Sequence, residues 1–297
     1  MNRDAFATPS IRPARALALA GLLLCISAFL GACSAARFAY ERLDWFARWQ
    51  VSRYVSLTDE QTARFNAGFA EAWLWHRQEE LPLWIAELRQ LAAAVDTPMP
   101  AEQIGALTAR FTQSINRVVV RLAPLACTLG ASLSDEQVAD LLETVDEDID
   151  EFREEQIEPS DAVVRKFNLK ALEKSLRRNL GALTPEQQAQ LRERNNARPS
   201  IAPAWLAYRQ RRRAELATIL EQRQSADFCP ALTGLLLDGE ALWTDEQKKV
   251  FAADRAQWLA LFAELAPTLT TEQRERARER LIETADDLAE LTAATGN

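Results

Sequence analysis

The sequence is poor in glycine and histidine, and both shortages exclude familiar kinds of active site. Nine glycines are spread over 297 residues, and none forms a glycine-rich loop of the kind that holds nucleotide phosphates. No Gly-x-Ser-x-Gly segment marks a hydrolase nucleophile. His76 is the single histidine, so a zinc site built from several histidines is excluded. We therefore predict no cofactor and no metal site, and no small-molecule substrate is evident.

An excess of basic residues is also missing. The 35 lysines and arginines oppose 43 acidic residues and give a net charge of −8. Non-specific nucleic-acid binding needs a positive surface, so we predict no nucleic-acid partner. The period-two alternation of strands is absent as well, whereas apolar residues recur at helical spacing over 138–152. The sequence predicts an all-α fold, an irregular multi-helix bundle.

The N-terminus has the pattern of a bacterial lipoprotein signal. Basic residues precede an uncharged apolar stretch over 16–30, about 22 Å long as a helix and short for a bilayer span. The run Leu30-Gly-Ala-Cys33 follows and resembles the lipobox of Gram-negative lipoproteins. We predict that residues 1–32 are removed, that Cys33 carries the lipid, and that 33–297 form the helical domain. An uncleaved signal anchor is the alternative, disfavoured by the short apolar stretch.

The predicted lipid anchor also indicates where in the cell the protein is located. Two acyl chains already hold a protein stably at a membrane, and Ser34 after the lipid-bearing cysteine resembles the default for outer-membrane delivery. We expect the chain at the outer membrane, on its periplasmic face. The predicted partners are the membrane itself, through Cys33, and a protein of the envelope.

Two of the four cysteines remain in the predicted mature chain without an assigned role. Cys25 leaves with the signal and Cys33 takes the lipid, which leaves Cys127 and Cys229. In an oxidising compartment we predict a disulfide between them. The alternative is two separate buried thiols that pack as small apolar groups.

Near-identical pentapeptides mark the starts of the predicted helices. Each has the pattern of a capping box, in which Thr or Ser and the Gln three residues later exchange hydrogen bonds with backbone amides. The five are Leu57–Gln61, Leu133–Gln137, Leu183–Gln187, Trp243–Gln247 and Leu269–Gln273. The predicted helices lie near 36–55, 59–94, 101–127, 135–157, 161–181, 185–195, 203–224, 245–265 and 271–293. We predict breaks at Cys229-Pro230 and at 195–203, the latter as a boundary between two helical halves.

Charged segments alternate in sign along the middle of the chain. Residues 143–158 are strongly acidic but lack the glycine and the final glutamate of a calcium-binding EF-hand, so we interpret them as a solvated helix face. The following helix is basic over 165–178, which suggests an antiparallel hairpin of the two. A further basic cluster at 209–213 is either an exposed helix face or a contact for phosphate head groups.

Two groups of side chains have competing interpretations. Glu79, Glu80 and His76 could serve acid–base chemistry, although a structural histidine and surface glutamates are commoner. Trp45 and Trp49, four residues apart on one helix face, are expected in the core. The alternative places them at the membrane interface, close to the anchor.

Several segments resemble an uncharacterised family of Gram-negative lipoproteins that carries a domain of unknown function. The resemblance rests on Cys33-Ser34 with Arg37–Trp45, on Leu57–Gln61, and on Trp75–Pro82. It implies a helical lipoprotein and supplies no catalytic residues. The capping boxes are also similar to those of Spy-type periplasmic chaperones, which are much shorter proteins.

These observations favour a non-enzymatic function. We expect a lipid-anchored helical lipoprotein that acts as a binding or envelope-maintenance module. A chaperone-like binder of unfolded periplasmic proteins is the second hypothesis and predicts an exposed apolar surface. An enzyme that uses Glu79, Glu80 or His76 is the third, and it requires these side chains to meet in a pocket.

Overall fold

Helices account for nearly all of the described chain. The computed structural model describes residues 42–97, 99–237 and 239–293, and no strand occurs in this part of the chain. The prediction of an all-α bundle is confirmed. We label the helices α1 (Leu43–Tyr54), α2 (Asp59–Trp75), α3 (Leu81–Ala94), α4 (Ala101–Ala131), α5 (Asp135–Gln156), α6 (Asp161–Leu180), α7 (Pro185–Ala197), α8 (Ala202–Glu221), α9 (Phe228–Leu237), α10 (Asp245–Leu265) and α11 (Thr271–Ala293).

The predicted helix bounds agree with the observed ones to within a few residues, except in two places. The single helix predicted over 59–94 is divided by a π turn at His76–Glu80, and α9 was not predicted from its start. The predicted start of the first helix, residue 36, lies outside the described residues.

The predicted break at Cys229-Pro230 is wrong, because α9 runs through both residues from Phe228 to Leu237. Pro230 lies in the first turn, where a backbone amide has no partner within the helix, so the missing N–H costs no hydrogen bond. Pro124 lies much further from the start of its helix, inside α4, and α4 nevertheless continues to Ala131.

The helices bury their apolar residues in several clusters. Helix α3 packs along α11, α2 along α4, and α9 against α4. Leu81, Ile85 and Leu88 of α3 meet Ala285 and Leu288 of α11 in one cluster. A second cluster joins α5, α8 and α9, a third joins α6, α7 and α10, and a fourth is an aromatic group between α8 and α10. None of the described helices combines the length and apolar character that spanning a bilayer would require.

All five capping boxes form, and four of them join in pairs. Gln61 and Gln137, at the starts of α2 and α5, exchange side-chain hydrogen bonds of 3.1 and 2.8 Å. Each also donates to a backbone oxygen just before the other box, Gln61 to Ser132 at 2.9 Å and Gln137 to Ser56 at 2.7 Å. The same glutamine side chain therefore caps its own helix and binds a second helix start.

The second pair repeats this arrangement. Gln187 and Gln273, at the starts of α7 and α11, exchange hydrogen bonds of 2.8 and 2.9 Å. They donate to the oxygens of Thr268 and Ala182, again the residues before the partner box. The fifth glutamine, Gln247, donates instead to the oxygen of Ala204 at 2.6 Å. Gln61, Gln187 and Gln273 are buried and Gln137 is half-buried, so each pair fixes the distance between two helix starts.

The predicted hairpin of the acidic and basic helices is wrong. Helix α5 packs against α8 and α1, whereas α6 packs against α7 and α11. The charges of α5 that are paired across helices bind elsewhere: Asp146 binds Arg213 of α8 at 2.6 Å and Asp148 binds Arg53 of α1 at 3.1 Å. Apolar contacts of the inward faces, rather than the flanking charges, decide which helices pair.

The predicted boundary at 195–203 coincides with the short connection between α7 and α8. Arg198 in this connection binds the carboxylate of Asp254 on α10 at 2.7 Å, and its guanidinium lies 4.3 Å from the ring centre of Trp258. The connection is thus fastened to α10. The division of the helical domain into two halves at this connection remains a prediction.

Candidate functional site

A single turn of π-helix interrupts the long helix formed by α2 and α3. It comprises His76–Glu80, and the amide of Leu81 donates to the oxygen of His76, five residues earlier. A π turn holds one residue more than an α turn and recurs at functional sites. Here it coincides with the His-Arg-Gln-Glu-Glu segment in which the sequence suggested acid–base residues. This turn is therefore the first candidate site.

Glu80 is the buried residue of this turn. Its exposed fraction is 1 %. Arg117 of α4 donates to both carboxylate oxygens, at 2.5 and 2.9 Å, and the hydroxyl of Ser114 donates at 2.6 Å. Ser114 in turn accepts a hydrogen bond of 2.9 Å from the indole N–H of Trp84. The network joins the π turn, α3 and α4.

The charge of Glu80 is stabilised by these partners. Burial alone would raise the pKa of its carboxyl, but the hydrogen bonds from Arg117 and Ser114 outweigh burial, and the pKa is lowered. Glu80 is therefore ionised at neutral pH and held by two donors. The sequence contains no signal for Arg117 and Ser114 as its partners, because they lie more than thirty residues further along the chain.

His76 and Glu79 have surroundings that differ from those of Glu80. The ring of His76 stacks on Trp73, with centres 5.2 Å apart and planes 5° from parallel. Burial lowers the pKa of His76, although the carboxylate of Glu80 opposes the effect. Glu79 is exposed, and no group of three or more potential metal ligands occurs among the described residues. The structure thus gives the three side chains three different environments.

The basic cluster at 209–213 contacts the bundle. Arg211 donates to the oxygen of Leu242 at 3.1 Å and also to Gln247, and Arg213 forms two hydrogen bonds with Asp146. The guanidinium of Arg209 lies 4.5 Å from the ring centre of Phe152. Burial lowers the pKa of Arg209, an effect that the charge of Asp148 opposes. Three of these arginines thus bind helices α5 and α10 or the segment between α9 and α10.

The expectation that the tryptophans of α1 lie in the core is wrong. Trp45, Phe46 and Trp49 are exposed by 60, 48 and 40 %. The rings of Trp45 and Trp49 stack with centres 6.5 Å apart, and Phe46 lies 5.5 Å from Trp49. The inner side of the α1 region contributes Val51 and Val55 to the core. Helix α1 therefore presents an aromatic surface, defined by Trp45, Phe46 and Trp49.

Of the two predicted cysteine roles, the disulfide falls on described residues and the lipidation site does not. Cys127 of α4 and Cys229 of α9 form a disulfide with Cα atoms 5.2 Å apart, which supports the predicted bond. Cys33 and the signal over 1–32 lie outside the described residues. Helix α1, the first described helix, begins ten residues after Cys33.

Comparison with known proteins places the chain in one family. No curated protein matches the chain, and no solved structure does. A family of unknown function, DUF6279, matches residues 53–248, well over half of the 297 residues. The matched range contains the π turn, the disulfide and the Gln61–Gln137 pair. The chain therefore belongs to the DUF6279 family of unknown function.

Proposed function

We propose that this chain is a lipid-anchored, non-enzymatic binding module at the outer membrane, facing the periplasm, whose α1 rests on the bilayer surface. The observation that carries the proposal is the exposed aromatic surface of α1. Trp45 follows Cys33 by twelve residues, a span of at most about 40 Å even when fully extended. Tryptophan favours the interface between membrane and water, so an anchored Cys33 would keep this surface within reach of the head groups.

The attachment of α1 to the bundle supports this role. Arg53 and Tyr54 at its end both bind the carboxylate of Asp148 on α5, and the hydroxyl of Thr144 donates to the oxygen of Arg53 at 3.4 Å. Burial and the neighbouring Asp148 raise the pKa of Tyr54 to about 12, so its phenol keeps the proton that it donates. Because these contacts hold α1 to α5, contact of α1 with the membrane would also orient the whole bundle relative to the bilayer.

The environment of the π turn supports a structural rather than a catalytic role for Glu80. General acid–base catalysis needs a group that can reach the substrate and exchange a proton near the working pH. Both oxygens of Glu80 are bound by Arg117, the side chain is buried, and its pKa is lowered. We propose that the network fixes α2, α3 and α4 relative to each other.

The lipid anchor is tested by changing Cys33 to Ser in the full chain. We expect labelling by a fatty-acid analogue to disappear and the protein to leave the membrane fraction. Cys25→Ser is the matched control, because it removes a thiol eight residues away in the signal and should leave labelling intact. Labelling that persists in Cys33→Ser would contradict lipidation at this residue.

The membrane contact of α1 needs a separate measurement. The lipidated chain is placed in vesicles that contain brominated phospholipid, which quenches tryptophan at the interface. We expect the double variant Trp45→Phe, Trp49→Phe to lose most of the quenched fluorescence, whereas Trp75→Phe on α2 should retain it. Equal loss in both variants would argue against contact through α1.

The same aromatic surface also favours the second candidate, a chaperone-like binder of unfolded proteins. Exposed aromatic residues can hold unfolded segments as well as lipid. This hypothesis predicts that the chain suppresses aggregation of a denatured client protein, and that Trp45→Ser with Trp49→Ser abolishes the suppression. Unchanged aggregation in the presence of the wild-type chain would remove this candidate.

A further inference from the structure

Two charged helix faces of opposite sign lie on the surface without partners in the described part of the chain. We define the basic face of α6 as Lys166, Lys170, Lys174 and Arg177, and the acidic face of α5 as Glu143, Glu147, Glu151 and Glu154. All eight side chains are exposed. The ion pairs observed in the described chain involve other residues, such as Asp146 with Arg213 and Arg165 with Asp161.

The two faces have the same spacing. In each, the second, third and fourth residues follow the first by four, eight and eleven positions, so the four side chains share one side of an α-helix. Each row extends over about 16 Å at 1.5 Å per residue. Two helices laid side by side through these faces can therefore bring four positive and four negative groups together in register.

The two helices that carry these faces pack against different neighbours in the structure. Helix α5 is engaged by α8 and α1, and α6 by α7 and α11. Helix α6 also exposes Val163 and Phe167, by 58 and 45 %, beside the basic face. Exposed apolar side chains with charged residues around them fit a contact surface that has an apolar centre and a polar rim.

We infer that the basic face of α6 in one copy of the chain docks on the acidic face of α5 in a second copy. This inference goes beyond the proposed function and does not depend on the lipid anchor. The matched spacing favours a second copy over an anionic lipid surface, because lipid head groups require no particular spacing. The net charge of −8 opposes contact between copies in general, and so favours the orientation in which the basic face meets an acidic one.

Cross-linking between copies tests the inference. Purified full chains labelled with ¹⁴N and ¹⁵N are mixed in detergent and treated with a carbodiimide, which joins a lysine to a carboxylate only when the two are in contact. We expect cross-links of mixed isotope between the lysines of the basic face and the glutamates of the acidic face. Because exposed charges are screened by salt, their yield should fall severalfold between about 0.05 M and 0.5 M salt.

Charge exchange provides the decisive control. The first variant carries Lys166→Glu, Lys170→Glu and Lys174→Glu, and the second carries Glu143→Lys, Glu147→Lys and Glu151→Lys. Each alone should lose association, measured as mass by light scattering, and an equal mixture of the two should recover it. The matched control changes three exposed residues elsewhere, Arg192, Lys248 and Lys249, to Glu, and should associate like the wild type.

Other outcomes overturn the inference. Cross-links confined to one isotope would show that the faces meet within a single molecule. Association that survives either triple variant would place the contact elsewhere. Absence of mixed cross-links, together with binding to phosphatidylglycerol vesicles that is lost in the α6 variant, would assign the basic face to an anionic lipid surface instead.

Discussion

Adjacent residues of the π turn have sharply different environments. Glu79 points to solvent, while Glu80 is 1 % exposed and bound by Arg117 and Ser114. An ordinary α turn advances each residue by about 100° around the helix, and the extra residue of a π turn changes this phase. The phase shift places the carboxylate of Glu80 against α4.

At the residue scale, we expect Glu80→Ala to lower the free energy of unfolding by about 2–4 kcal/mol, because it leaves Arg117 and Ser114 without their acceptor and opens a cavity. Glu80→Gln preserves the shape and should cost less. Glu79→Gln, at the exposed neighbouring position, should change stability by no more than about 0.5 kcal/mol. Urea denaturation measures all three, and equal effects at both positions would contradict the buried network.

The same network predicts a dependence on acid. Because the pKa of Glu80 is lowered on folding, the stability from its charge is present above the carboxyl's unfolded pKa and is lost as the pH falls through the folded value. The stability difference between wild type and Glu80→Gln should therefore shrink in strongly acidic solution. Urea denaturation at pH 7 and at about pH 3 measures it, and a constant difference would argue against a charged Glu80.

A second pH effect belongs to His76, the single histidine. Burial lowers its pKa from 6.5, so the unfolded chain binds the proton more readily than the folded chain. Stability should then be complete above pH 6.5 and fall as the pH drops below it. His76→Gln should flatten the dependence of the urea midpoint between about pH 7.5 and pH 5.5. An unchanged slope in this variant would assign the effect to other groups.

At the element scale, the capping boxes act between helices as well as within them. A local signal of five residues is sufficient to start each helix, and the sequence shows all five. The pairing of Gln61 with Gln137 and of Gln187 with Gln273 is a tertiary property, since the partners are 76 and 86 residues apart. It uses donor and acceptor groups that an isolated capping box leaves to solvent.

We expect the paired glutamines to be energetically coupled. The double variant Gln61→Ala, Gln137→Ala should differ from the sum of its single variants by about 0.5–3 kcal/mol, because either change already breaks the shared hydrogen bonds. The control pair Gln61→Ala, Gln273→Ala combines glutamines from different pairs and should be additive within about 0.5 kcal/mol. Unfolding in urea gives both values, and additivity in both would contradict the pairing.

At the scale of the whole molecule, the disulfide closes the largest covalent loop in the described chain. It connects α4 to α9 across 102 residues and encloses α5, α6, α7 and α8. Much of the bundle therefore lies between two positions that are fixed to each other. A cross-link over so long a loop restricts the unfolded chain more than the folded one.

Mass spectrometry of the unreduced protein should find one linked peptide that contains Cys127 and Cys229. Reduction should lower the free energy of unfolding by up to about 4–5 kcal/mol, because the unfolded chain then recovers its freedom. Cys127→Ser with Cys229→Ser should match the reduced protein and respond no further to reductant. Alkylation of both thiols without reductant would contradict the bond.

Local sequence patterns by themselves determined most of the helices and their starting points. Helical spacing of apolar residues and the Thr-x-x-Gln boxes act over a few residues, so α2, α5, α10 and α11 begin where predicted. Helix α9 was missed because Pro230 indicated a break, whereas burial of Phe228, Leu232 and Leu235 against α4 sustains a helix there.

Only the tertiary structure decided which helices meet and which side chains share an environment. The charges of α5 and α6 suggested a hairpin, but exposed ion pairs contribute little, and the apolar faces directed α5 to α8 and α1. In the folded bundle, Glu80 is bound by Arg117, the glutamines of the capping boxes are hydrogen-bonded in pairs, and the tryptophans of α1 are exposed. These three features depend on contacts between segments that are distant along the chain. The spacing of residues in the sequence does not determine such contacts, because they form only when the helices bury their apolar faces against each other.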